Sequence, residues 1–235
     1  MTPRNSSTPP PAEGISRVAE DFLKAIWSAT EWGGAPITGK ALAERFGTTA
    51  ANVSDTIRRL TAQGLVSHEP YKPVRLTPAG ERHAVAMVRK HRLIESFLVR
   101  TLGYSWEEVH DEAENLEHAA SETMIDRIDA LLGHPDRDPH GDPIPAADGT
   151  TPHPKHAVKL TDASPGSYEV TRISDDDPAV LRLLAGHGLR PGSMITVGTR
   201  DAGSSSIPLE YDGGGLAPLP DDAAAALWLV TRTRR

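Results

Sequence analysis

Six prolines fall within residues 133–154, among several Asp and Gly residues, and neither a helix nor a central strand can run through such a stretch. It divides the chain. Upstream, apolar residues recur at helical spacing; downstream they gather in short β-rich runs at 168–173, 194–199, 207–211 and 227–231, with one short helix at about 178–184. The downstream pattern predicts a small barrel-like all-β domain over 156–235. With 235 residues, both parts have enough chain to bury a core.

The upstream part is predicted to be mainly helical. Ile15, Val18, Phe22, Leu23 and Ile26 form one stripe that ends at Trp32-Gly33-Gly34. Thr38 caps a short second helix carrying Leu42 and Phe46, and a third begins near Ala50 with Val53, Ile57 and Leu60 on one face. Two short helices hinged at Gly47 make a helix-turn-helix pattern. Short strands at 65–67 and 74–77, joined by Glu69-Pro70-Tyr71-Lys72-Pro73, add a wing. Thr77-Pro78 then opens a long helix to about residue 102, and Ser105-Trp106-Glu107-Glu108 reads as a capping box for a helix to about residue 119. A last helix spans 122–132, with Met124, Ile128 and Leu131 on one face.

The net charge of −7 conceals an uneven distribution. Residues 15–100 carry 13 Lys/Arg against 8 Asp/Glu, whereas 101–155 carry 3 against 13. A basic third suits phosphate and an acidic middle suits cations. On the third helix Thr49, Asn52, Ser54, Asp55, Arg58 and Arg59 are expected to face outward, where a recognition helix meets the major groove, with Lys72 on the wing. Asn and Thr read base edges, and the cations hold phosphates.

There are no cysteines, so any metal must sit on His and carboxylates. His110, Glu114, Glu117 and His118 are spaced i, i+4, i+7 and i+8 along one helical stripe, and His91 and Glu95 form another i, i+4 pair. Taken singly, either pair is also what a solvated acidic helix carries. Together, carboxylates held on one stripe repel each other unless cations are bound. His68, His83, His134, His140, His153 and His156 are scattered and read as surface or loop residues.

Several runs of residues then resemble one family: Ala19-Glu20-Asp21-Phe22-Leu23-Lys24-Ala25-Ile26, Arg89-Lys90-His91-Arg92-Leu93-Ile94-Glu95, Trp106-Glu107-Glu108-Val109-His110 continuing to Glu117-His118, and Asp138-Pro139-His140-Gly141-Asp142-Pro143-Ile144-Pro145. They are similar to the diphtheria toxin repressor family of metal-dependent transcription regulators, in its three-domain form. Residues 1–14, rich in Ser, Thr and Pro, read as a disordered tail; the resemblance implies a winged-helix DNA-binding domain at 15–77, a helical dimerisation and metal-binding domain at 78–133, a linker at 134–155 and an SH3-like domain at 156–235. It implies a primary metal site of Asp21, Glu114, Glu117 and His118, and an ancillary site of His91, Glu95 and His110. Within Asp175-Asp176-Asp177-Pro178-Ala179, Asp176 matches the ligand that the SH3-like domain lends to the ancillary site, and Ala179 stands where a Gln is expected.

Iron-sensing members place Met and Cys where this chain has Asp21 and Glu114. Hard carboxylates there favour Mn²⁺, with Fe²⁺ as the alternative. Lys24 replaces a Glu that bridges a binuclear pair in two-domain manganese regulators, so two separated sites per protomer are expected. The implied protein is a cytoplasmic homodimeric repressor, without a membrane segment, that binds a palindromic operator in double-stranded DNA when loaded with Mn²⁺. Two rivals remain at this level: a metal-dependent hydrolase, although no nucleophile or phosphate-cradling loop is evident, and a winged-helix sensor of an organic ligand.

Overall fold

A hydroxyl side chain opens each of the first three helices. The computed structural model describes residues 15–69, 72–154, 156–201, 203–211 and 215–231. In it, Ser16, Thr38 and Thr49 accept from the backbone N–H groups of Ala19, Ala41 and Asn52 and so start α1 (Arg17–Glu31), α2 (Gly39–Arg45) and α3 (Ala50–Ala62). The expected tail at 1–14 and Tyr71 at the wing tip lie outside the described residues. The chain forms two units, residues 1–87 and 88–235.

In the first unit Phe22, Leu23 and Ile26 of α1 pack with Leu42, Val53, Ile57 and Leu60, and the rings of Phe22 and Phe46 stack with centroids 4.7 Å apart. Val18, expected in the same stripe, is instead 55% exposed. The wing is a minimal antiparallel pair, β1 (Val66–Ser67) with β2 (Arg75–Leu76). Helix α4 (Pro78–Phe97) follows, and the boundary between the units falls within it. Gly80 is required there, because a Cβ would lie 1.9 Å from the Leu65 carbonyl oxygen.

In the second unit α4 runs on into a π-helical segment, Leu98–Leu102, which Gly103 closes at φ +75°. Helix α5 (Val109–Glu117) starts later than the expected capping box. Glu108 Oε1 does accept from the Ser105 N–H at 3.1 Å, but residues 105–108 form a turn. Ser121 caps α6 (Glu122–Leu131), where Ile125 and Ile128 are buried while Met124 and Leu131, expected on the same face as Ile128, are exposed. Leu93, Ile94, Leu98, Val109, Ala113 and Ile144 complete this helical core.

The remaining elements are β3 (Val158–Lys159), β4 (Gly166–Ile173), α7 (Pro178–Gly186), β5 (Met194–Val197), β6 (Ser206–Tyr211), β7 (Gly215–Pro220), α8 (Asp221–Ala225) and β8 (Leu227–Thr231). They build a six-stranded antiparallel sheet in the order β3-β8-β4-β5-β6-β7. Its core is Val170, Ile173, Leu181, Leu184, Ile195, Leu209, Leu227 and Leu229. A mainly helical part followed by a small all-β part agrees with the sequence.

The Pro-rich stretch expected as a linker is, in its first half, sewn into the second unit. Arg89 and Arg92 of α4 donate to the carbonyls of Pro145 and Pro143 at 2.7 and 2.8 Å, on one side. On the other side the Ile173 N–H donates to the His140 carbonyl at 2.9 Å, and Arg172 Nε meets both Asp142 carboxylate oxygens at 2.7 and 2.8 Å. Proline lacks an N–H but keeps its carbonyl as an acceptor, so this chain is tied down by side chains and by single backbone bonds rather than by a ladder. Gly141, at φ +91°, passes so close to β4 that a Cβ would lie 2.2 Å from the Thr171 carbonyl oxygen. In β4, in-and-out alternation gives way to continuous burial from Val170 to Ile173, the segment against which this loop packs.

Candidate metal centre

Helices α4 and α5 and Asp175, two residues beyond β4, converge within the second unit. His91 and Glu95, one turn apart on α4, place Nε2 and Oε1 3.0 Å from each other. From α5, His110 brings Nδ1 to 3.2 Å from His91 Nε2 and 3.4 Å from Glu95 Oε1. Asp175 Oδ2 stands 2.9 Å from the same His110 nitrogen. Adjacent ligands of an octahedral divalent ion at about 2.1–2.2 Å lie about 3 Å apart, near these four separations, and all four donors lie within 4.8 Å of one another. The donor set, two imidazoles and two carboxylates, fits a hard or borderline cation.

The resemblance pointed to Asp176, but the structure brings Asp175 into this group. Asp176 Oδ2 accepts from the Ser174 hydroxyl at 2.7 Å. Neither composition nor spacing distinguishes the three consecutive aspartates; the direction in which the chain leaves β4 does.

Electrostatics reinforce the grouping. Burial alone would raise the Glu95 carboxyl, but the charge on His91 and the facing His110 and His140 rings hold it well below the usual carboxylate range. Burial alone would lower His110, yet Asp175, Glu114 and Glu95 push it up to about 12. Asp175 is depressed, against the effect of burial, by its bond to His110. Protons thus hold the imidazoles where a cation would replace them.

Of the residues expected at the primary site, Glu117 is fully buried and its Oε2 lies 2.6 Å from His91 Nδ1. Its Oε1 lies 3.7 Å from His118 Nε2. Glu114 is exposed, its Oε1 3.6 Å from His110 Nε2. Asp21 belongs to the first unit, on α1, where it lines a groove of about 410 Å³ with Phe22, Phe46, Asn52, Asp55 and Arg59.

On α3 the expected DNA-facing residues have local partners. Thr49 spends its hydroxyl on capping, Asn52 Nδ2 donates to Thr48 Oγ1 at 3.0 Å, and Asp55 pairs with both Arg58 and Arg59. Ser54, Arg58 and Arg59 are exposed, and Lys72 Nζ pairs with Glu69 at 2.5 Å. The arginines and Lys72 are therefore on the surface, as phosphate contacts must be.

His140, expected among the surface and loop histidines, is instead fully buried. Its Nε2 lies 2.6 Å from the Trp106 carbonyl oxygen, and its Nδ1 lies 3.6 Å from Glu95 Oε2. Against the effect of burial, Glu95 pushes this imidazole up to about 10. Asp138 is also buried, and burial, with the charges of Asp142 and Glu95, pushes its carboxyl up to about 8. The signal for both was present in Asp138-Pro139-His140-Gly141-Asp142, an acid and a histidine held between prolines.

Three family models match in chain order: the iron dependent repressor N-terminal DNA binding domain over residues 14–74, the iron dependent repressor metal binding and dimerisation domain over 77–146, and the FeoA domain over 158–230. The iron-dependent repressor IdeR of Mycobacterium leprae (strain TN) is 33% identical over 221 residues, covering 88% of this chain and 94% of its own. The diphtheria toxin repressor of Corynebacterium efficiens is 30% identical, covering 88% of this chain and 93% of its own. A solved manganese-dependent transcriptional repressor, in complex with manganese, superposes with a TM-score of 0.84 at 49% identity, covering 90% of this chain and 99% of that one. No described helix is long and apolar enough to cross a membrane. Capped helix-turn-helix, wing, His-carboxylate centre and FeoA-type sheet thus agree with these matches, and the chain belongs to the diphtheria toxin repressor family of metal-dependent DNA-binding transcription repressors, which are not enzymes.

Proposed function

We propose that this chain is a Mn²⁺-responsive repressor that binds a palindromic operator as a homodimer and controls manganese homeostasis in the cytoplasm. The observation that carries the reading is the sulfur-free donor set. His91, Glu95, His110 and Asp175 are spaced as the ligands of one octahedral ion, and the chain contains no cysteine. A manganese-dependent repressor, 49% identical, supports Mn²⁺; the 33% identical iron-dependent repressor keeps Fe²⁺ as the alternative, because Fe²⁺ accepts the same ligands.

Two ions per protomer are proposed. Asp21 of the DNA-binding unit, with Glu114 and Glu117 of α5 and His118 at its C-cap, forms the proposed primary ligand set. His91, Glu95, His110 and Asp175 form the ancillary one. A cation bound at the primary set supplies an electrostatic tie that carboxylates alone cannot make, and so biases the orientation of the recognition helices. In a two-fold dimer those helices must meet major grooves about 34 Å apart, or a multiple of it, which makes that orientation decisive. The exposed Met124 and Leu131 on α6 are apolar surface suited to self-association. Linkage requires that operator DNA raise metal affinity by the factor by which metal raises operator affinity.

The test is fluorescence anisotropy of promoter DNA at fixed salt, titrating Mn²⁺, anaerobic Fe²⁺ and Zn²⁺ against a chelator control. The expected result is tight binding with Mn²⁺ at concentrations where Fe²⁺ is weak. Equal potency of Fe²⁺ would remove metal choice from Asp21 and Glu114, and binding indifferent to chelator would favour an organic effector.

A further inference from the structure

We infer that Glu95 bridges two cation positions, so that each protomer holds a further divalent ion beside the ancillary one. The inference rests on the reading of His91, Glu95, His110 and Asp175 as a metal site. Those residues gather about Glu95 Oε1. On the other carboxylate oxygen a second group forms, in which Glu95, Asp138 and His140 each place a donor atom within 4.8 Å of the others. His140 is not part of the first group, so the two are separate positions that share one carboxylate.

Three observations point to a cation rather than to packing. First, Glu95 Oε2 and His140 Nδ1 are both buried without a hydrogen bond, and they face each other at 3.6 Å, too far for a direct bond. Buried polar atoms left unsatisfied are costly, and a cation between them would satisfy both. Second, the His140 ring is already oriented. Its Nε2 donates to the Trp106 carbonyl at 2.6 Å, which leaves the Nδ1 lone pair of the neutral ring directed at Glu95. Asp138 is fixed as well, because its Oδ1 accepts from the N–H groups of His140 and Asp142 at 2.8 and 2.9 Å. Third, acids crowd this interior: Glu95, Glu117, Asp138 and Asp142 are buried there, with Arg92 facing both Asp138 and Asp142 and Arg172 facing Asp142. Carboxylates held this close repel one another unless protons or cations answer their charge, and divalent cations do so.

The site belongs to a hard divalent cation, since its donors are two carboxylates and one imidazole without sulfur. Its protein ligands come from α4 and from the loop pinned between α4 and β4. Loading it would therefore hold that loop to α4 and stiffen the connection between the helical part of the unit and the sheet.

The test is ion counting on the full chain with Mn²⁺ alone, by equilibrium dialysis and elemental analysis, together with electron paramagnetic resonance of the loaded protein. The unmutated chain is expected to hold about three ions per protomer and to give a spin-coupled signal from the carboxylate-bridged pair. His140→Gln and Asp138→Asn are each expected to hold about two and to lose the coupled signal. Glu95→Gln is expected to hold about one. The spectrum is read on the unmutated chain, so the result does not depend on whether a variant folds. Saturation at two ions without coupling, with Mn²⁺-activated DNA binding intact, would overturn the bridge and leave the proposed function standing; His140 would then be an imidazolium paired with Glu95. No Mn²⁺ binding at all would overturn both.

Discussion

Asp55 on α3 and Glu117 on α5 are both acids set against nitrogen bases, yet the fold treats them in opposite ways. Asp55 holds Arg58 and Arg59 at the surface, where those arginine side chains are 78% and 76% exposed, while Glu117 meets His91 with no exposed surface. Water and salt screen the first arrangement, so its ion pairs are weak and yield readily to DNA phosphates. Burial leaves the second few alternatives: a base, a proton or a metal must answer the charge. A regulator needs both kinds of site, one that exchanges partners and one that responds steeply to a single partner.

The widest separation between the two regions should come from removing a proposed primary ligand. Asp21→Ala is expected to lower Mn²⁺-dependent operator affinity by at least ~100-fold while leaving a folded dimer, checked by anisotropy and analytical ultracentrifugation. Metal-activated binding unchanged in that variant would break the proposed coupling between the buried site and the DNA-reading helix. His91→Ala should weaken activation by about 10-fold and reduce the bound metal per protomer, as calorimetric titration would show.

The pH dependence sharpens the same contrast. His110 is held protonated in the metal-free chain, with its pKa up at about 12, so Mn²⁺ must displace that proton. Apparent affinity should rise with pH by up to about tenfold per unit for each proton released, and titrations in buffers of different ionisation enthalpy would count the protons. The sign for metal-free stability differs between partners. The raised His110 contributes stability that is full below its unfolded value of about 6.5 and is lost as pH climbs towards 12. The depressed Glu95 and Asp175 contribute stability above the ordinary carboxylate range that is lost as pH falls below it.

The exposed region should respond least. Arg58→Ala is expected to weaken DNA binding only several-fold, nearly independent of sequence, and to lower the salt-dependence slope by about one. A loss confined to one operator sequence would instead make Arg58 a base reader.

Much of this was legible in the chain because it is local. The caps at Thr38 and Thr49, the stripe Val53, Ile57 and Leu60, and the i, i+4 pair His91 and Glu95 each follow from spacing within one helix. Met124 and Leu131 show the limit of periodicity, which marks an apolar stripe without saying whether this chain itself covers it. His140 shows another, since six prolines signal irregular backbone and not where that backbone goes.

The amino-acid sequence by itself determined the starts of the first three helices, the division into helical and β parts, the absence of thiolate chemistry and the residue types available to a metal. Tertiary structure decided which of them meet. Asp175 rather than Asp176 faces His110, and Asp138 and His140 lie against Glu95, because Arg89, Arg92 and Arg172 pin a proline-rich loop between α4 and β4 through contacts 30 to 56 residues apart. Spacing along a helix constrains donors on that helix; only packing brings donors from distant segments within about 3 Å of one another.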